Sequence, residues 1–309
     1  MAESIYDKPH FQDPDSAREY LERLRWPSGK AVCPHCASIG EHYALKGSAH
    51  RPGLWKCRDC RKQFSVTVGT VFERSKIPLS VWLQAVYMLC SSKKGMSSHQ
   101  LHRTLGVTYK TAWFMSHRIR EAMRTGALAP FGSGGGDVEA DETYIGREPG
   151  KEVRDGPHHK MKVLSLVDRN TKQARSMVVD AVNAKTIMPI LRENISHEAR
   201  LLTDEATAYN YARVYFAGHE SVVHSRKEWV RLSDRTVHIQ TVEGYFSIFK
   251  RGMKGVYQHC GKQHLHRYLA EFDFRYNNRA KLGVSDAQRA DNALKGISGK
   301  RLTYRCAAS

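Results

Sequence analysis

Residues 138–145 read VEADETYI, and this run decides how the second half of the chain is read. Its β-branched and aromatic content makes it a strand. It starts directly after residues 126–136, GALAPFGSGGG, a Gly/Ser/Pro stretch without periodicity that reads as a linker. Beyond it, residues 160–168, 174–179 and 200–203 are strand-like, with 222–224 as a further candidate, while 184–194, 241–250 and 262–278 have helical spacing. Strands followed by mixed helices and strands predict an α/β sheet flanked by helices.

The chain has 309 residues and a formal net charge of +18, with 41% apolar residues. That length suggests two or three domains, and the apolar fraction is enough for a real core. A surplus this large works against compactness unless a polyanion neutralises it; nucleic acid is the first candidate and an anionic membrane the second. No run approaches 18 apolar residues, so no membrane span is expected. The first residues, MAESIYDKPHF, do not read as a secretory signal. Seven cysteines, four of them in two pairs, point away from a disulfide framework and toward a metal site in a reducing cytoplasm.

Those pairs are Cys33-Pro-His-Cys36 and Cys57-Arg-Asp-Cys60, spaced C-x2-C-x20-C-x2-C. Each knuckle offers two thiolates, and two knuckles close a tetrahedral shell around Zn²⁺. The segment 30–68 is too short for a core of its own, so bound metal would supply folding energy. Tyr43, Trp55, Phe64 and Val66 are the residues expected to pack around it. Two unrelated pairs, or a redox C-x-x-C, is the competing reading. Ahead of the ribbon, residues 14–25 form an amphipathic helix with Asp15 or Ser16 as its cap.

Residues 79–124 return to helical spacing. Within them, SSHQLHRTLGVTYKTAWFMSHRIR at 97–120 has Leu101 and Leu105 on one face, Gly106 at a turn, and Thr108 capping a second helix with Ala112, Met115 and Ile119 inward. That is the layout of a helix-turn-helix, which would present Tyr109, Lys110, His117 and Arg118 to DNA. An ordinary helical hairpin is the alternative.

Three carboxylates stand out by context. Asp141 lies within the strand 138–145. Asp204 follows the apolar run Leu201-Leu202-Thr203, at the C-terminal end of a short buried strand. Glu243 opens the helix TVEGYFSIFK at 241–250. Phosphoryl transfer on DNA needs an activated hydroxyl and a stabilised leaving oxygen, and two Mg²⁺ ions about 3.5–4 Å apart provide both. Such hard ions take oxygen ligands. Taken singly, an Asp at a strand end is a turn residue and a Glu in a first helical turn complements the dipole. Glu139, Glu142 and Glu205 are neighbours expected to be solvated or supporting. Lys250 follows Glu243 by two helical turns and so shares its face, opening the basic run KRGMKG with Arg251 and Lys254.

At these residues the chain resembles the insertion-sequence transposases of the DDE class, in the branch with an N-terminal zinc ribbon. The resemblance is carried by LRWP at 24–27, WKCRDCRKQFSVTVGTVFERSKIPL at 55–79, TYKTAWFMSHRIREAM at 108–123, VEADETYIG at 138–146, LLTDEATAY at 201–209, TVEGYFSIFKRGMKGVYQHC at 241–260 and HLHRYLAEFDFRYNNR at 264–279. It implies an RNase H-like catalytic fold, with the three acids at Asp141, Asp204 and Glu243, Lys250 as the trailing basic residue, and two Mg²⁺ or Mn²⁺ ions. It also implies hydrolysis and strand transfer at the element's ends by a multimer on double-stranded DNA. One position departs: family members often read His-Thr-Asn-Thr where this chain has His238-Ile-Gln-Thr241.

The expected partition is therefore an N-terminal helix and zinc ribbon over 1–70, a helix-turn-helix region over 71–125, the linker over 126–136, an RNase H-like mixed-sheet domain over 137–290, and a basic tail over 291–309. His259, Cys260, His264 and His266 are mixed donors without a paired motif and read as turn and DNA-facing residues. Phe272, Phe274 and Tyr276 read as core, and Arg275 and Arg279 as phosphate-facing. A DNA-binding regulator without catalysis and a nuclease that hydrolyses without joining are the rival functions.

Overall fold

The computed structural model describes residues 4–126 and 129–303. The chain divides into two compact units, one of residues 1–124 with 283–309 and the other of residues 125–282.

In the first unit a short helix α1 (Pro9–Gln12) leads into α2 (Pro14–Arg25). The cap of α2 is Asp13, whose carboxylate accepts the Ser16 amide at 2.6 Å. The cap falls before the expected Asp15 or Ser16 because Pro14, with no N–H to lose, takes the first helical position. Strands β1 (Tyr43–Leu45), β2 (Leu54–Lys56) and β3 (Gln63–Phe64) form an antiparallel ribbon. Phe64 and Val66 are buried and Trp26 stands edge-on to Trp55 and Phe64, whereas Tyr43 is 50% exposed and takes no part in that packing. Helix α3 (Leu79–Ser91) buries Trp82, Leu83, Val86 and Leu89. Helices α4 (Ser98–Leu105) and α5 (Tyr109–Met123) follow, joined by a short turn. Gly106 enters that turn at φ +65°, a left-handed conformation that glycine adopts without strain, and the Thr108 hydroxyl accepts the Thr111 amide to start α5.

The second unit is built on five strands: β4 (Asp137–Ile145), β5 (Met161–Asp168), β6 (Gln173–Val179), β7 (Arg200–Thr203) and β8 (Gly218–Ser221). Their order is β6-β5-β4-β7-β8; the first three pair antiparallel, and β7 and β8 add in parallel to β4. This is an RNase H-like mixed sheet. Helix α6 (Ala184–Asn194) makes the crossover before β7, and α7 (Gln240–Gly252) and α8 (Lys262–Asn277) follow β8. The last strand lies at 218–221 rather than 222–224; it is polar, and its pairing to β7, not hydrophobicity, holds it.

Side chains alternate across the sheet. Val138, Ala140, Leu164 and Leu166 pack with Ile187 and Leu191 of α6. Ile145, Val163 and Val167 pack on the other face with Val242, Phe246 and Phe249 of α7 and Leu269 and Phe272 of α8. The edge strand β6 is closed by side chains of α8. Asn277 accepts from the Ala174 amide (2.6 Å) and donates to its carbonyl (2.9 Å), and Asp273 accepts the Ser176 amide (2.8 Å). Backbone groups that would otherwise template another strand are thereby satisfied.

Two boundaries differ from the sequence reading. Helix α9 (Asp286–Lys295) packs on α2, α3 and α5, so a segment read as the end of the catalytic domain and a tail belongs to the first unit. Its buried Arg289 donates to the Cys90 carbonyl at 2.9 Å. The end of the Gly/Ser/Pro stretch, with Ala127 and Leu128 outside the described residues, is built into the second unit. Phe131 is buried and bonded on both sides of its peptide to Asn194 and Ser196 (2.9 and 2.8 Å), and the Gly132 amide donates to buried Asp168 (2.9 Å). Its lack of periodicity reflects turns, not freedom.

Gly132 sits at φ +72°, and a Cβ there would lie 2.4 Å from that of Ala199 and 2.9 Å from Val138 Cγ2. Gly132→Ala is expected to destabilise the second unit by about 1–3 kcal/mol. Denaturant unfolding measures this, and an unchanged midpoint would mean that the turn is not locked as described.

Candidate active site and metal centre

The two cysteine knuckles are built alike. Cys33 N–H donates to the Ser38 carbonyl (3.0 Å) and Cys57 N–H to that of Lys62 (2.9 Å), and the residue after each second cysteine, Ala37 or Arg61, has φ near +60°. They bring Cys33 Sγ to 3.7 Å from Cys60 Sγ and Cys36 Sγ to 3.6 Å from Cys57 Sγ. A tetrahedral Zn²⁺ with Zn–S of about 2.3 Å requires sulfurs about 3.8 Å apart. Among the described residues these four are the one set of three or more His, Cys, Asp or Glu donors whose atoms all lie within 4.8 Å of one another. The donor set and spacing fit structural zinc. His35 is exposed, its ring against the Gln63 carbonyl, outside this set.

The acidic site arises from strand register. Val138 pairs with Leu201 in the parallel β4/β7 ladder, an offset of 63 residues. The same offset relates Asp141 to Asp204, the residue after β7 ends. On β4, Glu139 and Asp141 share the face that carries Ile145 and meets α7. Glu243 lies in the first turn of α7, its amide bonded to the Ile239 carbonyl at 3.1 Å.

Glu139 fixes that helix over the strand. It is fully buried; one oxygen accepts from Arg169 Nε (2.6 Å) and the other from the Val242 amide (2.8 Å). Residue 239, at the N-cap, is an isoleucine with no capping side chain, so Glu139 performs the cap from another element. Of the two roles the sequence leaves open for Glu139, solvated or supporting, alternation along β4 selects the second by putting it under α7.

The acids influence one another. Burial, then the charges of Glu142, Asp204 and Glu243, push Asp141 up to about 8, against the opposing Glu142 amide. Burial also raises Glu142 to about 7, although the Tyr209 hydroxyl donates to it, and raises Asp204. The three acids do not close to the spacing of the cysteines. Two ions side by side need a wider cage. Glu205, held down to about 2 by the Ser225 and His224 amides, stays charged and adds to what raises Asp204.

Sequence reading missed His224. Its Nε2 lies 3.8 Å from Glu243 Oε1, and its ring is among the influences that lower Asp204. Nothing in its spacing marks it, because it reaches the site from the loop after β8.

The basic candidates separate. Lys250 is half-buried, its ammonium 5.9 Å from the Phe246 ring centroid, while Arg251 and Lys254 are exposed beyond it. Lys110 is exposed in the first turn of α5. Arg118 is not a surface residue: it is buried and donates to the Glu73 and Leu302 carbonyls (both 3.2 Å), and neighbouring His117 is fully buried. The C-terminal half of α5 is enclosed on more sides than one apolar stripe indicates, since α3 and α9 both pack on it. Arg275 is likewise buried in an ion pair with Glu271. Cys260 and His264 form no tight donor cluster with their neighbours among the described residues.

A thiolate ribbon ahead of an RNase H-like sheet that gathers carboxylates places the chain among zinc-ribbon proteins with a nucleic-acid-processing domain. Comparison with known proteins makes this specific. Residues 12–63 match the transposase zinc-ribbon domain, and residues 134–277 match the ISXO2-like transposase domain. The chain belongs to the insertion-sequence transposases that join these two domains. It is 28% identical over 275 residues to a protein in the transposable element ISH50 of Halobacterium salinarum, covering 84% of this chain and 89% of that one. It is 25% identical over 103 residues to a transposase-like protein of Haemophilus influenzae, covering 33% of this chain and 80% of the relative.

Two predictions follow from the site's electrostatics and its anchor. Both Asp141 and Glu142 are raised, so in metal-free protein their contribution to stability is intact below about pH 4 and is lost as pH rises through about 7 to about 8. The melting temperature of metal-free protein should fall over that window, Asp141→Asn should flatten the fall, and Mn²⁺ should restore wild type but not the variant. Equal slopes for both proteins would mean that Asp141 is solvated. Separately, Glu139→Ala leaves the Val242 amide without its acceptor and takes from the half-buried Arg169 its buried partner, though Arg169 keeps Asp137 and the Thr236 and His238 carbonyls, and should cost about 2–4 kcal/mol in unfolding free energy. A loss below about 1 kcal/mol, the size of an exposed pair, would remove Glu139 as the anchor.

Proposed function

We propose that this protein cleaves DNA at the ends of an insertion sequence and transfers the freed strand to a target. The observation that carries the reading is the register of β7 on β4, which sets Asp204 beside Asp141 on the sheet while α7 supplies Glu243. Asp141, Asp204 and Glu243 would hold two Mg²⁺ or Mn²⁺ ions, and ions so bound would activate the attacking hydroxyl and stabilise the leaving oxygen. Three carboxylates in a chain of net charge +18 are otherwise a liability toward a polyanion, which fits a site designed around cations.

The remaining assignments concern binding. Lys250, on the Glu243 side of α7, would hold a phosphate close to the acids, with Arg251 and Lys254 extending the track along the same strand. Lys110 and Tyr109, exposed at the start of α5, are the recognition residues of the α4–α5 hairpin, read as a helix-turn-helix. The Cys33, Cys36, Cys57 and Cys60 site is structural. No helix among the described residues is long and apolar enough to cross a membrane. The protein would act in the cytoplasm on chromosomal DNA, as a homo-oligomer on paired ends.

The test is incubation with Mg²⁺ or Mn²⁺ and DNA carrying the ends that flank the gene, scoring nicked and joined strands. Wild type should give joined products. Asp141→Ala, Asp204→Ala and Glu243→Gln should bind the same DNA and reduce products to background. Lys250→Ala should weaken binding across sequences and lower the salt slope by about one. Binding without cutting under either metal would favour a regulator, and cutting without joining a nuclease.

A further inference from the structure

Trp229 is 54% exposed. Its ring lies against that of His224, with centroids 4.6 Å apart and planes inclined by 40°. His224 in turn approaches Glu243 at 3.8 Å. A large aromatic face is thus held in solvent one ring away from the acidic site.

The loop that carries it is tied down at several points. The Val223 amide donates to the Glu228 carboxylate (3.0 Å), and the Glu228 amide returns to the Val223 carbonyl (3.2 Å). Val230 makes a β-bridge with His238, and the Arg231 amide reaches the Val237 carbonyl at 3.0 Å. The guanidinium of Arg231 bonds to Glu220 and to the Ser221 carbonyl. Glu205 pins the His224 and Ser225 amides. Trp229 is therefore presented by a braced frame, not by a loop free to fold its indole away.

The surroundings select the occupant. Arg226, Lys227 and Arg235 are exposed in the same loop, which also holds Leu232 at 90% exposure. An indole among cations suits a π-faced anion, and a nucleotide is both. A base inside a duplex has no free face to offer, so the base must leave its stack first.

We propose that Trp229, backed by the His224 ring, is a stacking platform for one nucleobase unstacked from the duplex next to the cleaved phosphate. Only the position of that base relative to the cut rests on the strand-transfer reading. The platform would hold the strand end in place by its base while the basic run of α7 holds the phosphates.

The test places 2-aminopurine at successive positions around the end of the element in duplex oligonucleotides, and binds them to the full chain with zinc in place. One position should change fluorescence strongly on binding by wild type. Trp229→Phe should keep the change and Trp229→Ala should lose it, with zinc content and melting temperature unaltered in both. Trp229→Ala should also cut paired ends about 10-fold or more slowly, and recover to within about 3-fold of wild type on ends whose base at that position is already unpaired. The proposal is overturned if no position responds, if the response survives Trp229→Ala, or if unpairing gives no recovery. It is also overturned if the variant loses self-association while its base response is intact, which would make the indole a contact between copies. The fluorescence arm needs no cleavage, so wild-type protein that binds but never cuts would count against strand transfer and still decide the platform.

Discussion

A single buried carboxylate holds the candidate site together. Glu139 joins β4 to α7 by accepting from the Val242 amide with one oxygen and from Arg169 with the other. Arg169 carries the link further, donating to the Thr236 and His238 carbonyls (2.6 and 2.7 Å) in the segment that leads into the helix. Burying a charge pair of this kind brings little net stability, because desolvation cancels much of the attraction. What it supplies is position. Apolar packing of Val242, Phe246 and Phe249 would hold α7 on the sheet but would tolerate sliding along it. A carboxylate that must meet both a guanidinium and one particular amide does not. Glu139 is two residues from Asp141 and its partner amide is one residue from Glu243, so the constraint acts where the two acids must meet.

The second acid is placed by different means. Asp204 owes its position to a four-residue strand with Leu201 and Leu202 fully buried on opposite faces of the sheet. A slip of one residue would turn both into the wrong layer, so the register is enforced by the core and the acid is carried along with it. Burial then works against all this order. Asp141, Glu142 and Asp204 are pushed toward their protonated forms, so the fold crowds acids whose charge a bound proton relieves and a bound cation would relieve. Stability and chemistry are set against each other here.

Much of this could be read in the sequence, for identifiable reasons. Helix α6 and strand β7 coincide with their expected limits because apolar periodicity and burial agree there. The cysteine knuckles were legible because their spacing is itself the geometry of a tetrahedron. The position of Asp204 was legible from the buried run before it. What escaped was whatever depends on which elements meet. Glu139 looks like any acid in a strand until α7 is laid across it. His224 arrives on a loop, and its neighbour is 19 residues away. Helix α9 has ordinary amphipathic spacing, but its partners α2, α3 and α5 lie at the other end of the chain.

The same limit governs the basic residues. A net charge of +18 states how much positive charge the chain carries, not where it is presented. Arg118 uses its guanidinium on two backbone carbonyls, and Arg289 ties α9 to the end of α3 through the Cys90 carbonyl. Arg275 is committed to Glu271 inside α8. These residues belong to the framework. A planar group with five donors can satisfy several carbonyls that a helix end leaves open, which a lysine cannot do in the same geometry. Cations that the fold leaves exposed include Lys110 at the start of α5, Arg251 in the last turn of α7 with Lys254 just past it, and Arg226, Lys227 and Arg235 in the loop that carries Trp229. In the second unit, exposed cations stand on both segments that flank Glu243 in the chain, Arg226, Lys227 and Arg235 before it and Arg251 and Lys254 after it, as they also do at Arg147, Lys151 and Arg154.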